Sequence, residues 1–277
     1  MTTATPHAPH IPYGPASRLK WAVADGWTMT ARILAHWARQ PGQVAVGLLF
    51  PVMIVLMFGY LFGGGMAVPG GGDYREFLMP GMFALSMLFG VEATFTAVAA
   101  DAAKGVTDRF RSMPVSRSAV VVGRCAADMI NSVLGLAVLV LCGLAVGWRW
   151  HEGWGRAAAA IGLLLLLRLA FLWIGIHLGL AIGSPDAVMA LQILVWPIGF
   201  LSNAFVWTDT MPGWLAAVAE WNPLAATITA TRELFGNPTG GGSWIAEHSL
   251  AMALFWPLAL TAIFFPLAVR RYARLDR

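Results

Sequence analysis

The chain has 277 residues, 58% of them hydrophobic and only 12% charged, with a formal net charge of +4 and a mean hydropathy of +0.68. A water-soluble domain carries about 25% charged residues; so little polar surface excludes one here, and most of the exterior must face lipid. The two cysteines, Cys125 and Cys142, stand 17 residues apart in one expected helix, too far along its axis to bond to each other, and no Cys/His spacing typical of a metal site occurs.

Residues 1–16 are rich in Pro, His and Thr. They lack a basic start followed by an apolar core, so they do not read as a secretory signal. A disordered tail is expected, with His7 and His10 inside it. Residues 17–42 form the next unit, an amphipathic helix. Trp27, Thr30, Leu34 and Trp37 recur on one side; Asp25, Arg32, His36 and Arg39 take the other. Tryptophans opposite cations suit a helix lying in the headgroup layer. Lys20 and Trp21 fit this pattern poorly. Pro41-Gly42 then turns the chain into the bilayer.

Residues 43–270 read as one membrane domain of six spans, each near the bilayer length of roughly 20 residues. The first covers about 44–62 and is interrupted by Pro51. A glycine-rich loop, 63–76, leads to the second, about 77–100, which carries Glu92. The third, about 119–147, is longer than a bilayer requires. Its first turns hold Arg124 and Asp128, four apart and able to pair along the helix. The fourth, about 157–183, carries Arg168 near its middle. Ser184-Pro185-Asp186 makes a tight turn into the fifth, about 188–207, with Pro197 inside it. The sixth covers about 249–269, and residues 271–277 form a basic tail.

The stretch 208–247 is too apolar for an ordinary loop. Residues 212–221 and 223–235 read as short helices opened by prolines. Neither is long enough to cross, so a re-entrant pair is expected, tolerated where protein buries it. Asn222, Pro223 and Arg232 lie in this pair.

Basic residues orient the spans. With the N-terminus inside, the inner segments hold 13 Lys and Arg and the outer ones 4, namely Arg75, Arg149, Arg156 and Arg232. Both termini are therefore expected in the cytoplasm.

Between the second and third spans lies a basic, proline-marked segment, 101–117. Val106, Phe110 and Met113 can share one side of a short helix, with Lys104, Asp108 and Arg111 on another, and Pro114 stops it. An apolar knob with a charged rim can enter a groove on a partner protein; the same cations also set topology and attract anionic lipid.

Within the membrane, Glu92 and Arg168 each need a partner or a wet cavity, because such a charge costs about 2.5–3.5 kcal/mol at a helix centre. Glu92 can meet Arg168, or alternatively Arg124. The pair serves either helix packing or a substrate. His177 reads as a packing histidine, with a proton relay as the alternative. Trp196, Phe200, Asn203 and Phe205, with Met53, Met57 and Phe58 of the first span, are candidates to line a route for a flat apolar solute. Paired catalytic carboxylates and Ser/His/Asp sets are not apparent. No Gly-x-x-x-x-Gly-Lys-[Ser/Thr] phosphate loop occurs, so ATP hydrolysis by this chain is not expected. No internal repeat is visible, against the habit of inverted-repeat carriers.

The run Lys104-Gly105-Val106-Thr107-Asp108-Arg109-Phe110-Arg111-Ser112-Met113-Pro114-Val115-Ser116-Arg117, continuing to Gly123-Arg124, resembles the signature of type-2 ABC exporter permeases, nearest to their daunorubicin-resistance-like drug exporter branch. Pro51 with Tyr60-Leu61-Phe62-Gly63-Gly64, Trp221-Asn222-Pro223-Leu224, and Arg232-Glu233-Leu234-Phe235-Gly236 agree with it. The resemblance implies an all-α polytopic membrane protein with six transmembrane helices and a cytoplasmic coupling helix between spans two and three. On that helix Val106, Phe110, Arg111, Met113 and Pro114 would dock a separate ABC ATPase, supported by the interfacial helix with Trp27, Arg32, Leu34, Trp37 and Arg39. It implies two ATPase copies, which would hold ATP and Mg, and a second permease, identical or homologous. The implied task is outward movement of a hydrophobic drug or lipid-like compound across the plasma membrane, with membrane lipid but no nucleic acid as a partner. The alternative is a proton- or ion-coupled carrier using Glu92, Arg168 and His177.

Overall fold

The computed structural model describes residues 15–39, 41–62, 68, 72–103, 117–182, 184–239 and 243–274. Ten α-helices follow one another there: α1 (Pro15–Ala38), α2 (Pro41–Met57), α3 (Tyr74–Ala103), α4 (Arg117–Val146), α5 (Gly153–Ala181), α6 (Pro185–Phe200), α7 (Gly213–Glu220), α8 (Pro223–Phe235), α9 (Trp244–Glu247) and α10 (Ser249–Arg274). No strand occurs among the described residues. Four helices are long and apolar enough to cross a membrane, over Tyr74–Ala103, Val122–Val146, Gly153–Ala181 and Ser249–Tyr272. Two shorter apolar helices, Ala45–Leu61 and Pro185–Phe200, accompany them. The chain is a multi-pass membrane protein.

Packing centres on α5, which lies against α3, α4, α8 and α10. Glycines let it come close to α3. A Cβ on Gly179 would stand 2.7 Å from the Phe95 carbonyl oxygen, and one on Gly175 would press on Thr94 at 3.1 Å. Two glycines four apart are a standard way for membrane helices to approach in lipid, where dispersion and hydrogen bonds must replace the hydrophobic drive. The largest buried cluster joins Phe77, Phe83, Met87 and Phe95 of α3 to Leu164 and Leu167 of α5 and Phe235 of α8.

The fifth span departs from expectation. Instead of running to residue 207, α6 stops at Phe200, and 201–206 is non-helical. Sixteen residues give about 24 Å of helix, short of the roughly 30 Å hydrocarbon core. Pro197 contributes, since it lacks an N–H to continue the ladder. At the other end, Ser184 caps α6 by accepting from the Ala187 amide at 3.3 Å, with Pro185 at the first helical position.

The short pair appears as α7 and α8. Nearly every residue of α8 is buried, against α3, α5 and α10. Asn222 caps it, accepting from the Leu224 amide at 3.0 Å, and Gly236 closes it in the left-handed conformation, φ +71°. The first helix begins at Pro15, two residues inside the segment expected to be a tail. The rest of that segment and residues 275–277 lie outside the described residues.

Candidate functional site: a cleft between the first six helices

Helices α1 to α6 surround a cleft of about 1120 Å³, completed by Tyr272 of α10. Charged and hydroxyl side chains line one part of it; Phe50, Phe89 and Trp196 line another.

The charged part is built around Arg168, only 3% exposed. Its guanidinium lies over the backbone of α3 at Gly90, where a Cβ would stand 2.7 Å from Arg168 Cζ. Two hydroxyls tie it down: Nη2 donates to Thr94 Oγ1 at 2.9 Å and Nε to Ser132 Oγ at 2.7 Å. Thr94 faces Asp128 Oδ2 at 2.9 Å, and Ser132 donates to the Asp128 carbonyl oxygen at 2.8 Å. So two hydroxyls connect the arginine of α5 to the aspartate of α4. Asp128 also pairs with Arg124 (3.2 Å), the i,i+4 pair legible in the sequence, and Arg124 reaches Asp101 of α3 at 3.5 Å. The set runs from the middle of α5 to the end of α3 that precedes the basic segment.

This arrangement replaces the pairs considered from sequence. Neither Glu92–Arg168 nor Glu92–Arg124 is among the described contacts. Asp128, assigned only to Arg124 beforehand, is the carboxylate that faces Arg168. Two groups are left over. Glu92 Oε1 and Arg168 Nη1 are both buried without a hydrogen-bond partner, and both residues line the cleft. His177, the third member of the carrier alternative, does not line it; its ring meets Phe264 edge-on at 5.8 Å.

From the aromatic wall of the cleft a ladder of rings leads away. Phe89 lies 4.7 Å from Trp196, Trp196 stacks on Phe200 at 6.1 Å, Phe200 on Phe205 at 5.2 Å, and Phe205 meets Phe58 at 4.7 Å. Phe50 of α2 closes on Trp196 at 5.7 Å. The structure thus brings Trp196, Phe200, Phe205 and Phe58 together. Met53 and Met57 are exposed. Asn203 is elsewhere: buried, its Nδ2 donating to Thr229 Oγ1 at 2.8 Å.

The irregular stretch after α6 is gripped by α8. Arg232, 1% exposed, donates from Nε to the Phe77 carbonyl oxygen at 2.9 Å, and from Nη2 to those of Asn203 (2.9 Å) and Ala204 (3.3 Å). Its Cζ sits 3.6 Å from the centre of the Phe77 ring. Asn222 donates to the Ile198 and Leu201 carbonyl oxygens at 2.9 and 2.7 Å, and Tyr74 to that of Phe205 at 3.2 Å. Non-helical backbone is tolerated at membrane depth when protein satisfies it in this way. Sequence reading had counted Arg232 among the outer cations and gave it no partner. No local signal pointed to one, because its acceptors at Phe77, Asn203 and Ala204 are remote along the chain.

Along α1, Gly26 and Thr30 are buried, and the Thr30 hydroxyl is shared between the Gly26 and Gly123 carbonyl oxygens at 2.8 and 3.1 Å. Leu34 and Trp37 are partly buried, Arg32 and Arg39 exposed, and Arg32 and Trp37 line the cleft. Trp27 was grouped with Thr30 but is 63% exposed; the packed stripe is centred on Gly26 and Thr30, one residue round the helix. The docking residues Val106, Phe110, Arg111, Met113 and Pro114 lie outside the described residues. Among the described ones, no group of three or more His, Cys, Asp and Glu is placed to hold a metal ion.

The family model described as "ABC-2 type transporter" matches residues 25–235, which hold every cleft-lining residue except Tyr272. The daunorubicin resistance ABC transporter permease protein DrrB1 of Streptomyces coeruleorubidus is 32% identical over 252 residues, 91% of this chain and 87% of that protein. The probable doxorubicin resistance ABC transporter permease protein DrrC of Mycobacterium tuberculosis is 23% identical over 223 residues, 76% of each. A putative transport permease, ycf38, of Cyanophora paradoxa is 22% identical over 243 residues, 85% of this chain and 81% of that protein.

Proposed function

This chain belongs to the ABC-2 type transporter family, and from that premise we propose that it is the permease subunit of an ATP-driven exporter for a hydrophobic compound of the antibiotic or lipid-like kind. As a member it is a transport component rather than an enzyme. Two copies of a separate ATPase supply the energy, docking on the coupling segment through Val106, Phe110, Arg111, Met113 and Pro114. A second permease, identical or homologous, completes the membrane unit. The four long helices, α2, and α6 extended by the non-helical stretch 201–206 make six crossings of the plasma membrane with both termini in the cytoplasm.

The cleft is the observation that carries this reading. A volume of about 1120 Å³ slightly exceeds the usual pocket range of roughly 300–1,000 Å³ for a drug-sized ligand. Its wall of Phe50, Phe89 and Trp196 suits a flat apolar body, and the names of two relatives concern resistance to daunorubicin and doxorubicin. The charged set ending at Asp101 adjoins the coupling segment, so a shift of that segment has a short physical route to the cleft.

The test uses inverted membrane vesicles holding the chain with its cognate ATPase. ATP-dependent uptake of a hydrophobic drug is expected, with none from a proton gradient alone. Phe110→Asp is expected to abolish uptake while leaving the amount of permease unchanged. Uptake at the wild-type rate in that variant, or uptake without ATP, would remove the docking role.

A further inference from the structure

Gly199, next to the last residue of α6, packs on α3: a Cβ there would stand 2.9 Å from Leu85 Cδ2 and 3.3 Å from Leu88 Cδ2. Leu85 lies roughly 16 Å along α3 from its start at Tyr74. So α6 ends well inside the bundle, at hydrocarbon depth. The chain then climbs toward the start of α3, where the Phe205 carbonyl oxygen meets the Tyr74 hydroxyl at 3.2 Å and Trp207 stacks on Phe77 at 4.4 Å. After α7 it is back beside the end of α6, because Asn222 donates to the Ile198 and Leu201 carbonyl oxygens.

A groove of about 530 Å³ opens between these two arms, lined by Ile198 and Leu201 on one side and Ala217, Val218 and Trp221 on the other. It is separate from the cleft, which α6 lines through Gln192 and Trp196. Asn222 also borders the groove, but its amide is spent: Nδ2 serves the two carbonyl oxygens, and Oδ1 accepts from the Leu224 amide at 3.0 Å. A drug-sized solute asks for a few placed polar groups, and this amide has none to give. Leu194 is exposed one turn before Ile198 and shares its side of α6, so the apolar strip continues along the helix toward the middle of the membrane. A long, narrow, apolar track at this depth has the shape of one acyl chain. It also lies where α6 falls short of the bilayer thickness, a mismatch that surrounding lipid must make up.

We propose that the groove seats one acyl chain of a bilayer phospholipid, lying along Leu194 and Ile198 and held against Val218 and Trp221 of the α7 arm. Such a lipid is structural, is separate from whatever the cleft carries, and does not depend on ATP-driven export.

The full chain is placed in phosphatidylcholine nanodiscs holding a trace of phosphatidylcholine with a diazirine midway along one acyl chain. After irradiation the adducts are mapped by peptide mass spectrometry. Leu254, Phe255 and Leu258 of α10 are about as exposed as Ile198, Val218 and Trp221, and they report passing lipid. Labelling per residue is expected about fivefold higher in the groove than on α10, the preference of a seat favoured by ~1 kcal/mol. Ala217→Phe, at an exposed position lining the groove, should lower the labelling of Ile198 to the α10 level and leave the melting temperature unchanged. Groove labelling no higher than that of α10 in the wild-type chain overturns the assignment, and this comparison needs no variant to fold. Labelling of Ile198 that survives Ala217→Phe overturns it as well. Two other results would overturn it by seating something else there. Loss of groove labelling on adding anthracene, with α10 unaffected, would assign a small apolar solute. Oxidative joining of two copies through Val218→Cys would assign a second permease.

Discussion

Among the described residues two arginines are buried, and they sit at opposite ends of the molecule's logic. Arg232 spends its donors on three backbone carbonyl oxygens and lays its face on Phe77. It holds together the place where α6 has come apart. Arg168 is almost as enclosed, but its partners are two hydroxyls, and one of its nitrogens has none. Backbone partners cannot rotate away, so the Arg232 region is a clamp. Hydroxyls have alternative partners close by: Thr94 is also 3.0 Å from the Gly90 carbonyl oxygen. The Arg168 region can therefore rearrange when something enters the cleft. A buried cation surrounded by carbonyls marks structure, whereas one left short of a partner marks a place kept ready.

That contrast can be broken by experiment. The largest effect is expected at the clamp. Arg232→Met removes the donor shared by the Asn203 and Ala204 carbonyl oxygens, at roughly 1–3 kcal/mol each, and should lower the melting temperature sharply and reduce the yield of folded protein. An unchanged melting temperature would mean the clamp does not hold α6. Next comes Gly90→Ala, whose Cβ would meet Arg168 Cζ at 2.7 Å. The guanidinium must shift off α3, at about 1–3 kcal/mol, and drug transport should fall further than stability does. Equal transport by the variant would show that the position of Arg168 is unimportant to the cleft. The smallest effect is expected at Trp27, 63% exposed. Trp27→Ala should change thermal stability by no more than about 0.5 kcal/mol, and a large loss of stability would mean that another surface covers it.

Legibility followed distance along the chain. The Arg124–Asp128 pair was readable because four residues of helix bring two side chains to one face whatever the helix packs on. The short helices at α7 and α8 were readable from their prolines and from the glycines that follow. By contrast, the partner of Arg168 was misjudged. Glu92 and Thr94 are two residues apart on α3 and so point to different sides. Only the rotation of α3 against α5, set by Gly90, Gly175 and Gly179, decides which of them meets the guanidinium. The end of α6 was misplaced for a similar reason. Its apolar residues continue past Phe200, but the helix does not: Asn222 takes the carbonyl oxygens of Ile198 and Leu201, and Arg232 those of Asn203 and Ala204.

Composition and the lengths of the apolar runs determined by themselves that this protein lives in lipid, is helical, and carries a basic segment, 101–117, between two long apolar runs. These are consequences of solvation and of local periodicity, which each stretch of chain carries alone. The family motif added the class of transporter. The cleft, its aromatic ladder and the different fates of two buried arginines were decided by tertiary structure. They depend on which faces of separate helices are turned toward one another, and that is settled by close packing over the whole bundle.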